Sequence, residues 1–166
     1  MDDRHVYLSQ SYIDNWQYYL DSILGRSTSP RWDLCIITAS NEDQAEAYRL
    51  QIDQRIKSKL LPSSTKFLVI PDPGGKRVGS GGATLNALLK SYMLFDNEDS
   101  FSINRFQDKR ILIIHSGGDS KRIPQYSAFG KLFSRIPRQL PDGRPSTLFD
   151  EFFISLSTVP ASMKEG

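Results

Sequence analysis

Tyr12, Trp16, Tyr19, Leu20 and Ile23 recur at helical spacing between Ser11 and Leu24, which predicts an amphipathic helix whose aromatic stripe is core or docking surface. Gly25 follows as its C-terminal stop, and residues 25–31 read as a loop. The apolar run from Trp32 to Thr38 predicts a strand. Ser40 or Asn41 then caps a helix with Glu42 and Asp43 in its first turn, where acids suit the dipole. That helix is expected to run to about Leu61, before Pro62. Lys66 to Ile70 reads as a second short strand. Ala83, Leu85, Leu88, Leu89 and Met93 carry a third helix to about Phe95, and residues 96–108 are polar enough for a surface connection. Four consecutive branched apolar residues, Ile111 to Ile114, read as a central strand covered on both faces, as parallel sheets require. An apolar stretch from Leu132 to Ile136, a turn at Pro141-Asp142-Gly143 and a helix from about Ser146 to Thr158 complete the pattern, with Ser146 as its expected N-cap.

Strands alternating with helices predict an α/β sheet of nucleotide-binding type. With 166 residues, 39% of them hydrophobic, the chain can bury one real core. Its net charge of +2 is too balanced for a general nucleic-acid binder. The basic residues cluster instead around Lys76-Arg77 and from Lys121 to Arg138, which suits a compact anionic ligand. The single cysteine, Cys35, lies in an apolar run, so no disulfide can form within the chain and a reducing compartment fits. Cys35 reads as a small core residue. No apolar run approaches the ~20 residues that a membrane span needs, and the acidic N-terminus has no apolar segment of a signal peptide behind it. A cytoplasmic protein that binds neither nucleic acid nor membrane is the expectation.

Two glycine-rich loops carry the candidate chemistry. The first leaves the strand at Ile114-His115 and reads Ser116-Gly117-Gly118-Asp119-Ser120-Lys121-Arg122-Ile123-Pro124, ending at Gly130-Lys131. Loops at the carboxyl ends of parallel strands are where open α/β sheets bind ligands. Glycines there let the backbone approach a phosphate and aim N–H groups at it. Lys121, Arg122 and Lys131 would supply counter-charge. Two glycines by themselves make only a tight turn; the basic residues behind them point to polyphosphate. The second loop, from Pro71 to Gly82, contains Gly79, Ser80, Gly81 and Gly82 at a helix N-terminus, a ready anion site. Lys76 and Arg77 fit a solvated loop pair as well as a ligand contact. His115 reads as a hydrogen-bonded structural histidine; Asp72 and Asp119 could approach a metal, with a turn role favoured for Asp72 and a cap as the alternative for Asp119.

The segment "GGDSKRIPQYSAFGK" resembles the signature of sugar-1-phosphate nucleotidyltransferases, a pattern close to G-G-x-G-x-R-L-x-P-x-T-x(5)-K. More narrowly, "KRVGSGGATLNALL" followed by "KRILIIHSGGDSKRIPQYSAFGKLFSRIPR" resembles the guanylyltransferase part of the L-fucokinase/fucose-1-phosphate guanylyltransferase family, over about Trp32 to Arg138. The resemblance implies a three-layer, Rossmann-like nucleotidyltransferase sheet of GT-A type, incomplete at its C-terminus, over residues 31–166, with residues 1–30 as a helical extension. It implies transfer of GMP from GTP to L-fucose-1-phosphate, with Mg²⁺ as cofactor. Gly117, Gly118, Asp119 and Ser120 would cradle the nucleotide phosphates. Arg122 would neutralise the departing pyrophosphate, and Lys131 would hold the α-phosphate and the sugar phosphate. Gly79, Ser80, Gly81 and Gly82 would lie near the ligand. Two departures stand out: Pro124 follows Arg122 by two residues where the broad signature has three, and Ser120 replaces a loop glycine. The family's metal-binding aspartate is expected in a later "SGD"-like segment that this sequence lacks, so the chain reads as part of a longer enzyme, inactive alone, with that remainder as its partner. A sugar-kinase-type phosphotransferase, suggested by "VGSGGAT", and a non-catalytic nucleotide-binding fragment are the alternatives.

Overall fold

The structure, a computed structural model, describes residues 3–26, 28–94, 106–116 and 130–163. Helix α1 (Asp3–Ile23) is longer than the aromatic stripe alone predicts. Gly25, at φ +68°, ends it: Arg26 N–H donates to Asp21 O at 2.8 Å and Gly25 N–H to Ser22 O at 3.3 Å. This left-handed exit favours glycine. Trp16 and Tyr19 enter the core beside Trp32, Phe149 and Phe153.

Strand β1 (Leu34–Ala39) is buried at every position. It lies between β2 (Lys66–Pro71) and β3 (Ile111–His115), parallel to both. Ile37 is opposite Val69 on one side and Ile114 on the other. Among the described residues, then, the central strand is β1, and β3 forms an edge with Ile111, Leu112 and Ile113 half-buried. Residues of β3 pack into the clusters on both faces of the sheet, so an apolar run does not by itself distinguish a central strand from one at the edge of the described sheet. Cys35, Ile37 and Ala39 face α2 (Glu42–Lys57), where Ala45, Tyr48 and Ile52 pack on them. Leu34 and Ile36 face the opposite way, against Ala87 of α3 (Gly79–Leu94). Cys35 is fully buried, and that burial pushes its thiol pKa up, away from the reactive thiolate.

One expected boundary is observed and two differ from the periodicity. Asn41 is the cap of α2, its Oδ1 accepting from Gln44 N–H at 2.8 Å. The helix ends at Lys57, not near Leu61, because Lys59 turns left-handed (φ +56°) and Leu60 N–H reaches back to Arg55 O at 2.8 Å. Helix α3 begins at Gly79, so Gly81 and Gly82 lie inside its first turn. A Cβ on Gly82 would stand 2.8 Å from Cβ of Val78, which makes the small residue a packing requirement. Leu85, Leu89 and Met93 of α3 are exposed while Ala83 and Ala87 face the sheet.

A two-stranded antiparallel ribbon follows, β4 (Arg135–Gln139) and β5 (Pro145–Thr147), joined through Asp142-Gly143. Helix α4 (Leu148–Ser155) is capped by Thr147, not Ser146. The reason is reciprocal bonding: the Thr147 hydroxyl accepts from Asp150 N–H, and the Asp150 carboxylate accepts from Thr147 N–H at 3.0 Å. Ser146 instead donates to Glu151 at 2.6 Å. A last helical turn, α5 (Val159–Ser162), ends the described chain.

A candidate nucleotide site at the carboxyl edge of the sheet

The parallel register brings the carboxyl ends of three strands to one edge: Thr38 lies opposite His115, and Asp72 follows the last residue of β2. Thr38, Asp72, His115, Arg77, Gly79, Ser80 and Ala83 line a cleft of about 170 Å³ between that edge and the first turn of α3. The free N–H groups of a helix N-terminus and its dipole attract partial negative charge. Thr84, one turn into α3, accepts or donates across 3.1 Å to His115 Nε2 and donates to Ser80 O at 2.9 Å. His115 thus has the hydrogen-bonded role read from the sequence.

Asp72 is a turn residue through its backbone, its carbonyl accepting from Gly75 N–H at 3.1 Å. Its side chain caps nothing. The carboxylate lines the cleft instead, with Arg77 and His115 as the charges acting on it. Burial pushes its pKa up; Arg77 and His115 pull the other way and are outweighed. Among the residues lining the cleft Asp72 is the single carboxylate. Among the described residues no group of three or more His, Cys, Asp and Glu side chains could hold a metal ion.

Of the residues expected to act on a ligand, Gly79 and Ser80 line the cleft, whereas Gly81 and Gly82 belong to the α3 turn behind them. Lys131 is exposed and does not line the cleft. Gly117, Gly118, Asp119, Ser120, Lys121 and Arg122 lie outside the described residues. Both flanks of that stretch are described, and both rest on α2. Ser116 N–H donates to Thr38 Oγ1 at 3.2 Å, and the Ser116 hydroxyl bonds that of Tyr48 at 2.8 Å. At the other flank Gly130 adopts φ +72° against Tyr48 and Gln44. Gln44 also accepts from Ser40 N–H at 2.9 Å, bracing the exit of β1. Gln44 and Tyr48 escaped the sequence reading. Their only trace there was an i, i+4 spacing on the inner face of α2.

Residues 104–166, the region that contains β3 and the first glycine loop, match the family described as the fucose pyrophosphorylase domain. A bifunctional fucokinase/GDP-fucose pyrophosphorylase of Arabidopsis thaliana is 35% identical over 152 residues, covering 82% of this chain and 14% of the plant protein. The chain resembles the fucose-1-phosphate guanylyltransferases, a family of nucleotidyltransferase enzymes. The human fucose-1-phosphate guanylyltransferase is 42% identical over 107 residues, 64% of this chain and 16% of that protein. The mouse fucose-1-phosphate guanylyltransferase is 38% identical over 106 residues, 64% of this chain and 17% of that protein. The chain thus spans between 14% and 17% of the length of these curated relatives. No solved structure matches it. Among the described residues no helix is long and apolar enough to cross a membrane.

Proposed function

We propose that this chain forms the nucleotide-binding part of a nucleotidyltransferase that transfers GMP from GTP to L-fucose-1-phosphate. An oxygen of the sugar phosphate attacks the α-phosphorus, the bond to the β-phosphate oxygen breaks, and pyrophosphate leaves with GDP-fucose as product. Such a transfer asks the protein for positioning and charge neutralisation, with little covalent chemistry. The match of residues 104–166 to the fucose pyrophosphorylase domain is the observation that carries this reading, and it favours nucleotidyl transfer over the sugar-kinase alternative.

In this reading Gly117, Gly118, Asp119 and Ser120 cradle the phosphates. Arg122 neutralises the departing pyrophosphate, and Lys131 holds the α-phosphate. Gly79 and Ser80 flank the ligand at the cleft they line, and Gly81 and Gly82 let the first turn of α3 pack closely. The parallel sheet with helices on both faces belongs, in the same reading, to a GT-A-type nucleotidyltransferase layer working in the cytoplasm.

Calorimetric titration of the purified chain with GTP, ATP and UTP, each with and without Mg²⁺, tests the proposal. Selective GTP binding that weakens on the order of tenfold or more in Lys131→Ala supports it. Absence of GTP binding, in a chain shown by circular dichroism to be folded, refutes it for this chain.

A further inference from the structure

We propose that the cavity between the end of α2 and the β4–β5 ribbon binds a phosphate group, as free phosphate or as a small phosphate monoester, through the Arg135 guanidinium with Gln51, Gln54 and Ser58. Gln51, Gln54 and Ser58 lie on the last turns and C-cap of α2, roughly 10 Å or more along the helix from Gln44. The cavity is therefore a second site, at the edge of the sheet opposite the carboxyl cleft.

The argument rests on which bonding groups around the cavity are already used. Its volume is about 450 Å³, and three arginines line it against one carboxylate, Asp150. Arg55 is closed: its five N–H donors go to Asp150, Thr147 and Gln51. Asp150 is closed as well, receiving two hydrogen bonds from Arg55 and two from Thr147. Arg144 bonds Asp142 at 2.6 Å. Arg135 is left over, since among the described residues its exposed guanidinium has no ion pair or hydrogen bond. It stands opposite Thr147 in the ribbon, so the two side chains share the face that lines the cavity. On the facing wall Gln51 Oε1 accepts from Arg55 at 3.0 Å, which leaves its NH₂ as the unused end. The Gln54 amide and the Ser58 hydroxyl add donors with no partner among the described residues. The carbonyls that end α2 do not oppose an anion here, because Ser58 N–H covers that of Gln54 at 3.0 Å and Leu60 N–H that of Arg55 at 2.8 Å. What remains is one cation and several donors, which suit a ligand of negative charge and many acceptor oxygens. Two phosphate oxygens match the arginine fork, and the tetrahedral group has others to turn toward α2. A planar carboxylate would spend both oxygens on Arg135 alone.

Nuclear magnetic resonance on the ¹⁵N-labelled chain tests the site, following the side-chain N–H signals of Arg135, Gln51 and Gln54. The probes are inorganic phosphate, glycerol phosphate and acetate, each at constant ionic strength so that screening does not change. Phosphate or glycerol phosphate should shift these signals together and to saturation; the tighter of the two tells free phosphate from a monoester. Acetate should bind at least about tenfold more weakly. Arg135→Gln should weaken the phosphate response at least about tenfold, and Arg135→Lys, which keeps the charge but loses the fork, by less. Gln54→Ala, on the other wall, should give a smaller loss with Arg135 intact. Neither Arg135 variant should alter the GTP titration, which reports the carboxyl edge, and a parallel loss there would mean that Arg135 acts through the fold. That result overturns the site. So does a shift that never saturates, an equal response to acetate, or an Arg135→Gln chain that binds phosphate like the wild type.

Discussion

The hydroxyl of Tyr48 lies 2.8 Å from that of Ser116, 68 residues later in the chain. The same hydroxyl abuts Gly130, where an added Cβ would stand 1.9 Å from it and 2.7 Å from Gln44 Nε2. One turn of α2 therefore holds both flanks of the glycine loop, at the edge where the parallel strands end. Burial pushes the phenol pKa of Tyr48 up, with its bonds to Ser116 and to the Leu132 backbone opposing that shift. The hydroxyl stays a neutral donor and acceptor at physiological pH.

Gly130→Ala is expected to destabilise the chain by about 2–4 kcal/mol, combining left-handed strain with overpacking. Tyr48→Phe alone should cost about 1 kcal/mol for the lost hydrogen bond. Because the nearest clash is with the hydroxyl itself, the two substitutions should couple, Gly130→Ala costing about 1 kcal/mol less in the Tyr48→Phe chain. Urea unfolding of the four chains of that cycle measures the coupling, and strict additivity would show that the contact is not tight.

Arg55 joins α2 to the first turn of α4. It pairs with Asp150 at 3.1 Å with side chains only 12% and 15% exposed, and its guanidinium lies 4.8 Å from the Phe133 ring centroid. Removing one partner of a buried pair strands the other charge. Arg55→Ala should therefore lower stability by about 3 kcal/mol. High salt should change this loss little, since screening acts weakly on buried pairs. A loss under about 1 kcal/mol, typical of surface pairs, would contradict the buried geometry.

At the start of α4, Thr147→Ala removes a capping box and should cost about 1 kcal/mol or more. Thermal or urea midpoints decide it. If Ser146→Ala costs the helix more than Thr147→Ala, the cap has been misassigned.

Asp72 ties the cleft to pH. Its folded pKa lies above the ordinary 3.8, so just above that value the folded chain holds more protons than the unfolded one. Stability contributed by this group therefore falls as pH rises from about 3.8 through its folded pKa, and stays lowered beyond it. Asp72→Asn removes the penalty. Relative to wild type the variant should gain stability on going from about pH 4 to about pH 7, read from urea midpoints at both. A relative loss over that range would mean that Arg77 and His115 outweigh burial.

Much of the architecture was legible along the chain because it depends on neighbours three or four residues away. The stripe of α1, the acidic first turn of α2 after Asn41, and the apolar runs of β1 and β3 are all local patterns. The paired glycine motifs likewise carried the family resemblance. Other features required the packed chain. Whether Ser146 or Thr147 caps α4 depends on which hydroxyl faces Asp150. Among the described residues β3 lies at the edge because it pairs with β1 alone, and an apolar run covered by helices reads the same at the centre or the edge. Turn chemistry explains the backbone of Asp72 but not its carboxylate, which reaches the cleft because β2 ends there beside α3 and His115. The Tyr48–Ser116 contact spans two strands and a helix of intervening sequence, so no local spacing encodes it. Periodicity records which face of an element is buried; only the assembled layers decide what that face meets.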